Sequence, residues 1–158
     1  MTRNLPAAAD AWSAEPWRRR AELAWRKSQE QQFRSNESFL VAVRMLRESI
    51  SRDPGNYHDD RRLGEWWSAR WRLTKDSGDA LEAIESCRRA LARNPTSAAL
   101  ICELAFAFES AGNEADAGDL AQRALRQDDI NHSWGHVDRY LDERSRHRLE
   151  ELAGRSKP

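Results

Sequence analysis

Apolar residues in this chain recur at helical spacing rather than in alternation. Leu63, Trp67, Trp71 and Thr74 form one stripe of three- and four-residue steps. No stretch alternates apolar and polar positions with β-branched residues, and Val and Ile are few. Ala, Leu, Glu, Arg and Gln, which favour helix, dominate. The punctuation is sparse and regular. Asp53-Pro54-Gly55-Asn56, Ser77-Gly78-Asp79, Asn94-Pro95-Thr96-Ser97, Ala111-Gly112-Asn113 and Asp128-Asp129-Ile130-Asn131 each carry turn or cap chemistry. The pattern predicts an all-α chain of helices in series.

Two segments superpose at a shift of 34 residues. GDALEAIESCRRALARNP (78–95) lies on GNEADAGDLAQRALRQDD (112–129). Gly78 falls on Gly112, Ala83 on Ala117, Arg89 on Arg123, Ala90 on Ala124 and Leu91 on Leu125. A weaker copy, ESFLVAVRMLRESISRDP (37–54), follows at a shift of 41, with Ala42 on Ala83 and Asp53-Pro54 on Asn94-Pro95. A fixed period of this size marks stacked helical units, because a lone pair of helices cannot bury both of its faces.

These residues resemble the tetratricopeptide repeat, a helix–turn–helix unit of about 34 residues. The resemblance covers about residues 14–129. In its third unit the first helix supplies Ile101, Leu104-Ala105 and Phe108, and the second Ala117, Ala121 and Ala124. In the second unit Asp60, Leu63-Gly64 and Trp67 are followed by Ala83, Cys87, Ala90 and Pro95. In the first, Trp17, Arg20-Ala21 and Ala24 are followed by Ala42, Leu46, Ser49 and Pro54. The resemblance implies an α-α superhelix, a right-handed solenoid of helical hairpins, with units at 14–54, 55–95 and 96–129. Residues 1–13 are expected to be a flexible N-terminal segment. Residues 130–158 are expected to hold a capping helix, with Val137, Tyr140, Leu141, Leu149 and Leu152 on its apolar face, and a frayed tail from Gly154.

One interval departs from regularity. Nine residues separate Phe108 from Ala117, but 16 separate Trp67 from Ala83 and 18 separate Ala24 from Ala42. The first two hairpins are therefore expected to be elongated, with first helices near 14–33 and 57–76. Six of the seven tryptophans precede residue 72. Trp25, Trp66, Trp67 and Trp71 are expected on or near the ridge that such long hairpins build.

The 158 residues suit one compact domain or a short repeat array. The 26 basic and 26 acidic side chains cancel, which argues against a dedicated nucleic-acid binder. No apolar run reaches the length a membrane helix needs, and the start MTRNLPAAADAW lacks a signal-peptide core. The expectation is a cytoplasmic chain without membrane insertion.

Chemistry-bearing motifs are sparse. His132 and His136 have metal-ligand spacing, but Gly135 interrupts them in a segment rich in capping residues, so no metal is expected. Cys87 and Cys102 sit among apolar residues and read as small buried hydrophobes. No phosphate loop, nucleophile elbow or zinc-protease motif occurs, so neither catalysis nor a cofactor is expected. The tetratricopeptide resemblance implies that Arg18 and Arg61 occupy matching groove positions one repeat apart, with Glu22, Glu65 and Phe106 also facing the groove. Two such arginines suit an acidic group of a partner. The family's carboxylate-clamp pattern is absent, since Ala99 and Glu103 stand where basic residues belong.

The function implied is a non-enzymatic scaffold that binds a protein or peptide partner through its groove or its long-hairpin ridge. A second possibility comes from SAEPWRRRAELAW and ALRQDDIN, which resemble the C-terminal tails of some bacterial O-antigen ligase-like membrane proteins; no activity is implied, because the catalytic parts of such proteins are absent here. A third is a homo-oligomeric scaffold, such as a homodimer, joined through exposed tryptophan-rich flanks.

Overall fold

The computed structural model describes residues 13–33 and 36–155, the side chain of residue 138 apart. Most of the expected N-terminal segment and residues 156–158 of the tail lie outside the described residues. Those described are helical, with no strand among them: α1 Glu15–Glu30, α2 Asn36–Arg52, α3 Tyr57–Thr74, α4 Ser77–Arg93, α5 Ala98–Ser110, α6 Glu114–Ser133 and α7 Glu143–Arg155. A short 3-10 turn, Val137–Arg139, precedes α7. Among the described residues no helix is long and apolar enough to cross a membrane. The chain falls into two compact units, Met1–Asp59 and Asp60–Pro158, divided in the first turn of α3.

In the first unit α1 packs on α2. Pro16 pre-sets the first turn of α1, where its missing N–H costs nothing. Ala21, Phe39, Ala42, Leu46 and Ser28 have no exposed surface. Trp25, Phe33 and Phe39 form a tilted and edge-on ring cluster with centroids 5.4–6.1 Å apart. The turn that follows α1 carries no glycine or proline. Gln32 and Phe33 instead adopt left-handed backbone with φ of 50° and 55°, a conformation with a steric cost for L-residues.

In the second unit α5 packs against both α4 and α6, and α6 packs against α7. Because α5 is covered on several sides, its burial runs almost all round: Leu100, Ile101, Cys102, Leu104, Ala105, Ala107 and Phe108 are all buried. On α6 the buried positions Ala117, Ala121, Ala124, Asp128 and Asn131 keep a strict four-three spacing. The small residues matched by the 34-residue shift are core: Ala83, Ala90, Ala117 and Ala124 are each at most 1% exposed. Asp76, Ser97 and Asn113 cap α4, α5 and α6 by accepting backbone N–H groups.

The first two hairpins are elongated, and both of their helices share the extra length. Past Trp67, α3 runs on for seven residues, whereas α5 stops two after Phe108. Ahead of Ala83, α4 starts six residues early, whereas α6 starts three before Ala117. The first hairpin behaves likewise, with α1 running six past Ala24 and α2 starting six before Ala42. An antiparallel hairpin can lengthen only if both arms grow.

Four expectations are corrected. The break placed at Asp128–Asn131 is interior helix, and the chain turns at Trp134-Gly135 instead. Asp128 is fully buried because its carboxylate accepts the Leu141 N–H at 2.8 Å and pairs with Arg146 at 2.5 Å. Asn131 donates to the Arg139 carbonyl at 3.1 Å. Polar residues thus continue the buried stripe by meeting partners from the following loop and from α7. The capping helix, expected over 133–153, consequently begins only at Glu143, where Asp142 accepts the Ser145 N–H and hydroxyl. Leu149 and Leu152 are buried on it, but Val137 lies outside it and is 73% exposed; Gly154 and Arg155 still belong to the helix. Ser77-Gly78-Asp79 is the first turn of α4, and the break itself is Lys75-Asp76. Finally, the flanks are not tryptophan-rich surfaces. Among the described residues Trp25, Trp66 and Trp67 are buried, Trp17 and Trp71 are half-buried, and Trp134 is exposed.

Candidate functional site

Along α3, residues 64, 65, 68, 71 and 72 form one stripe, and along α5 residues 103, 106 and 110 form another. Between these stripes lies a cavity of about 200 Å³, closed beneath by Cys87 of α4 and flanked by Arg148 of α7. Gly64 allows this arrangement. A Cβ at that position would lie 2.7 Å from the Cys87 sulfur, so only a hydrogen lets α4 approach α3 here.

One end of the cavity is acidic. Arg61 Nε donates to Glu103 Oε1 at 2.9 Å, and its terminal nitrogen lies 2.6 Å from the same oxygen. Arg61 also pairs with Glu65 at 3.3 Å along α3. Glu103 Oε2 is buried and has no hydrogen-bond partner. Burial pushes the Glu103 carboxyl up to about 7; Glu65 adds to the shift, and Arg61 opposes it.

The remainder is aromatic and basic. Arg148 lies over the Phe106 ring at 4.0 Å and donates to Glu109 at 2.6 Å. Lys75 lies over the Trp71 ring at 4.1 Å. Arg72 Nε donates to the Ser68 carbonyl at 3.3 Å. Burial pushes the Cys87 thiol up to about 12, and Cys102, deep in α5, is held at about 12 for the same reason.

Of the five residues singled out by sequence, Arg61, Glu65 and Phe106 gather around this cavity. Arg61 does so with its guanidinium engaged by Glu103 and Glu65. Arg18 and Glu22 belong to the first unit. Arg18 is committed internally: its Nε donates to Asp59 at 2.8 Å and its terminal nitrogen to Asp53 at 2.6 Å, while the Ser49 hydroxyl completes Asp59 at 2.8 Å. Burial alone lowers the Arg18 pKa, but the bonds to Asp59 and Asp53 outweigh it and raise the value overall. Glu22 is half-buried. Trp71, on the stripe of α3, and Glu103, at a clamp position in the resemblance, also line it, and Cys87 and Arg148 complete the cavity without any local signal. Arg61 and Glu103 stand 42 positions apart, and nothing in either neighbourhood specifies the other.

His132 and His136 do not share a helical face, since α6 ends between them; His132 stacks on Tyr140 at 3.6 Å. Among the described residues no group of three or more His, Cys, Asp or Glu side chains is placed to hold a metal ion.

The class defined by this geometry is an all-α protein of consecutive helical hairpins with a small amphiphilic cavity between two of them. No protein-family model matches the chain, and no curated protein sequence matches it.

Proposed function

We propose that this chain is a non-catalytic scaffold of the tetratricopeptide type, whose hairpins stack as a superhelix and recognise a protein partner. The recognition surface is the face shared by α3 and α5. The observation that supports this reading is the cavity itself: two helices, one repeat apart, contribute regular stripes of charged and aromatic side chains around a small recess. Its volume of about 200 Å³ is below the range of about 300–1,000 Å³ that suits whole small-molecule ligands, and it suits one protruding side chain instead. Helical repeats recognise partners in this way, with a rigid frame presenting a few side-chain pockets.

Crosslinking mass spectrometry in the native host tests the proposal, since Lys75 sits over Trp71 beside the cavity and offers an amine there. The expected result is a recurrent partner peptide joined to Lys75. If no protein partner is recovered at Lys75 or elsewhere on the chain, the proposal fails.

A further inference from the structure

We infer that the cavity between α3 and α5 seats one cationic side chain, a lysine or arginine, of the partner protein. This rests on reading the chain as a protein-binding scaffold and names the chemistry of what enters. Three independent features point the same way. Glu65 and Glu103 share the guanidinium of Arg61, while the other cations lining the recess are engaged elsewhere, Arg148 with Glu109 and Arg72 Nε with the Ser68 carbonyl. Both Arg61 contacts to Glu103 go to Oε1, which leaves Oε2 beneath the surface without a donor. Only an N–H or O–H group relieves that deficit; an aliphatic or anionic occupant does not. The walls, Trp71 and Phe106, each already carry a cation over one ring, at 4.1 and 4.0 Å. Both walls are thus rings to which cations are attracted.

The polarity of entry follows from α3. Arg72 lies seven residues, or about 10 Å of helix rise, beyond Glu65. The cationic head is therefore drawn to the Glu103 end and its aliphatic stem lies along the aromatic walls. Arg61 and Glu65 of α3, Cys87 of α4 and Arg148 of α7 are the ionisable groups facing Glu103 across this recess. A bound cation favours ionised Glu103, so binding strengthens as pH rises through neutrality.

The test is an amide-shift titration of the full chain by nuclear magnetic resonance. The probe is arginine blocked as N-acetyl, N-methylamide; blocked citrulline, neutral and nearly isosteric, and blocked glutamate are the controls. Saturable shifts at Glu65, Glu103 and Phe106 are expected with arginine alone. Glu103→Gln is expected to weaken them about tenfold. Glu65→Gln, at a side chain 51% exposed, is the variant to read if Glu103→Gln disturbs folding, and it too is expected to weaken binding. Equal binding of citrulline, preference for glutamate, no saturable binding of arginine, or arginine affinity unchanged in folded variants overturns the inference. The two proposals fail separately. A partner captured at Lys75 whose contacting segment has no lysine or arginine removes this inference and leaves the scaffold standing. Arginine binding in a chain that captures no protein removes the scaffold reading alone.

Discussion

Asp60 and Arg93, 33 residues apart, meet at 2.5 Å with the aspartate entirely removed from solvent. Arg89 approaches the other carboxylate oxygen at 2.8 Å. The pair therefore joins the start of α3 to the end of α4. The arrangement is asymmetric, because both arginines are about a third exposed and Asp60 is not exposed at all.

That asymmetry sets the first prediction. Asp60→Ala leaves two cations that can turn into water, and is expected to cost about 1–2 kcal/mol in urea unfolding. Arg89→Ala with Arg93→Ala strands a buried carboxylate and is expected to cost about 3–5 kcal/mol. A double variant no worse than Asp60→Ala would show that Asp60 does not depend on its arginines.

Gly64→Ala exchanges a poor helix former for the best, a local gain of about 1 kcal/mol. The new methyl would nevertheless meet the Cys87 sulfur at 2.7 Å inside a close-packed contact. A net loss of about 1–3 kcal/mol is expected. Cys87→Ala in the same chain should restore most of it, a coupling that a thermal-unfolding double-mutant cycle reads directly.

Glu103 makes stability depend on pH. Its carboxyl is raised to about 7 in the folded chain from an ordinary value of 4.5. Between these values the unfolded chain has released this proton and the folded chain still holds it, so stability falls as pH rises through the window. Glu103→Gln removes the group, and relative to it the native protein is expected to lose about 1–2 kcal/mol between the lower and upper ends of that window. Parallel stability curves for the two proteins would refute the assignment.

The thiols should be silent in the native state. With both pKa values near 12, fewer than about one thiol in a thousand is ionised at about pH 8, and burial restricts access further. Modification by a disulfide reagent is expected to be at least about a hundredfold slower than in denaturant. Rapid native labelling of Cys87 would mean that α3 and α4 part readily beside the cavity.

Much of the helical scaffold was legible because it rests on local rules. Three- and four-residue spacing implied helices, Ser97 and Asn113 stood where caps belong, and the recurrence of Ala83 on Ala117 marked core positions that are indeed buried. The surplus residues after Trp67 and Ala24 implied longer hairpins, and both arms of each grew. The misplaced break has an equally physical origin. Asp128 and Asn131 carry turn chemistry in isolation, but they face Leu141, Arg146 and Arg139, whose bonds make interior helix the better solution. α1 ends at Glu30, short of the expected 33, because the chain turns through left-handed Gln32 and Phe33, which carry no glycine signal.

The cavity divides along the same line. Arg61, Glu65 and Phe106 were accessible through periodicity and resemblance, which fix the helix face a residue occupies. Glu103, Cys87 and Arg148 arrive from α5, α4 and α7, and their meeting depends on how those helices pack. The sequence by itself determined helix type, approximate length and the small residues that permit close approach, all set by interactions within a turn or two of chain. Only the tertiary structure decided which charges are paired and which carboxylate oxygen is left without a donor. A charged side chain chooses its partner by proximity across space, and no local pattern encodes that choice.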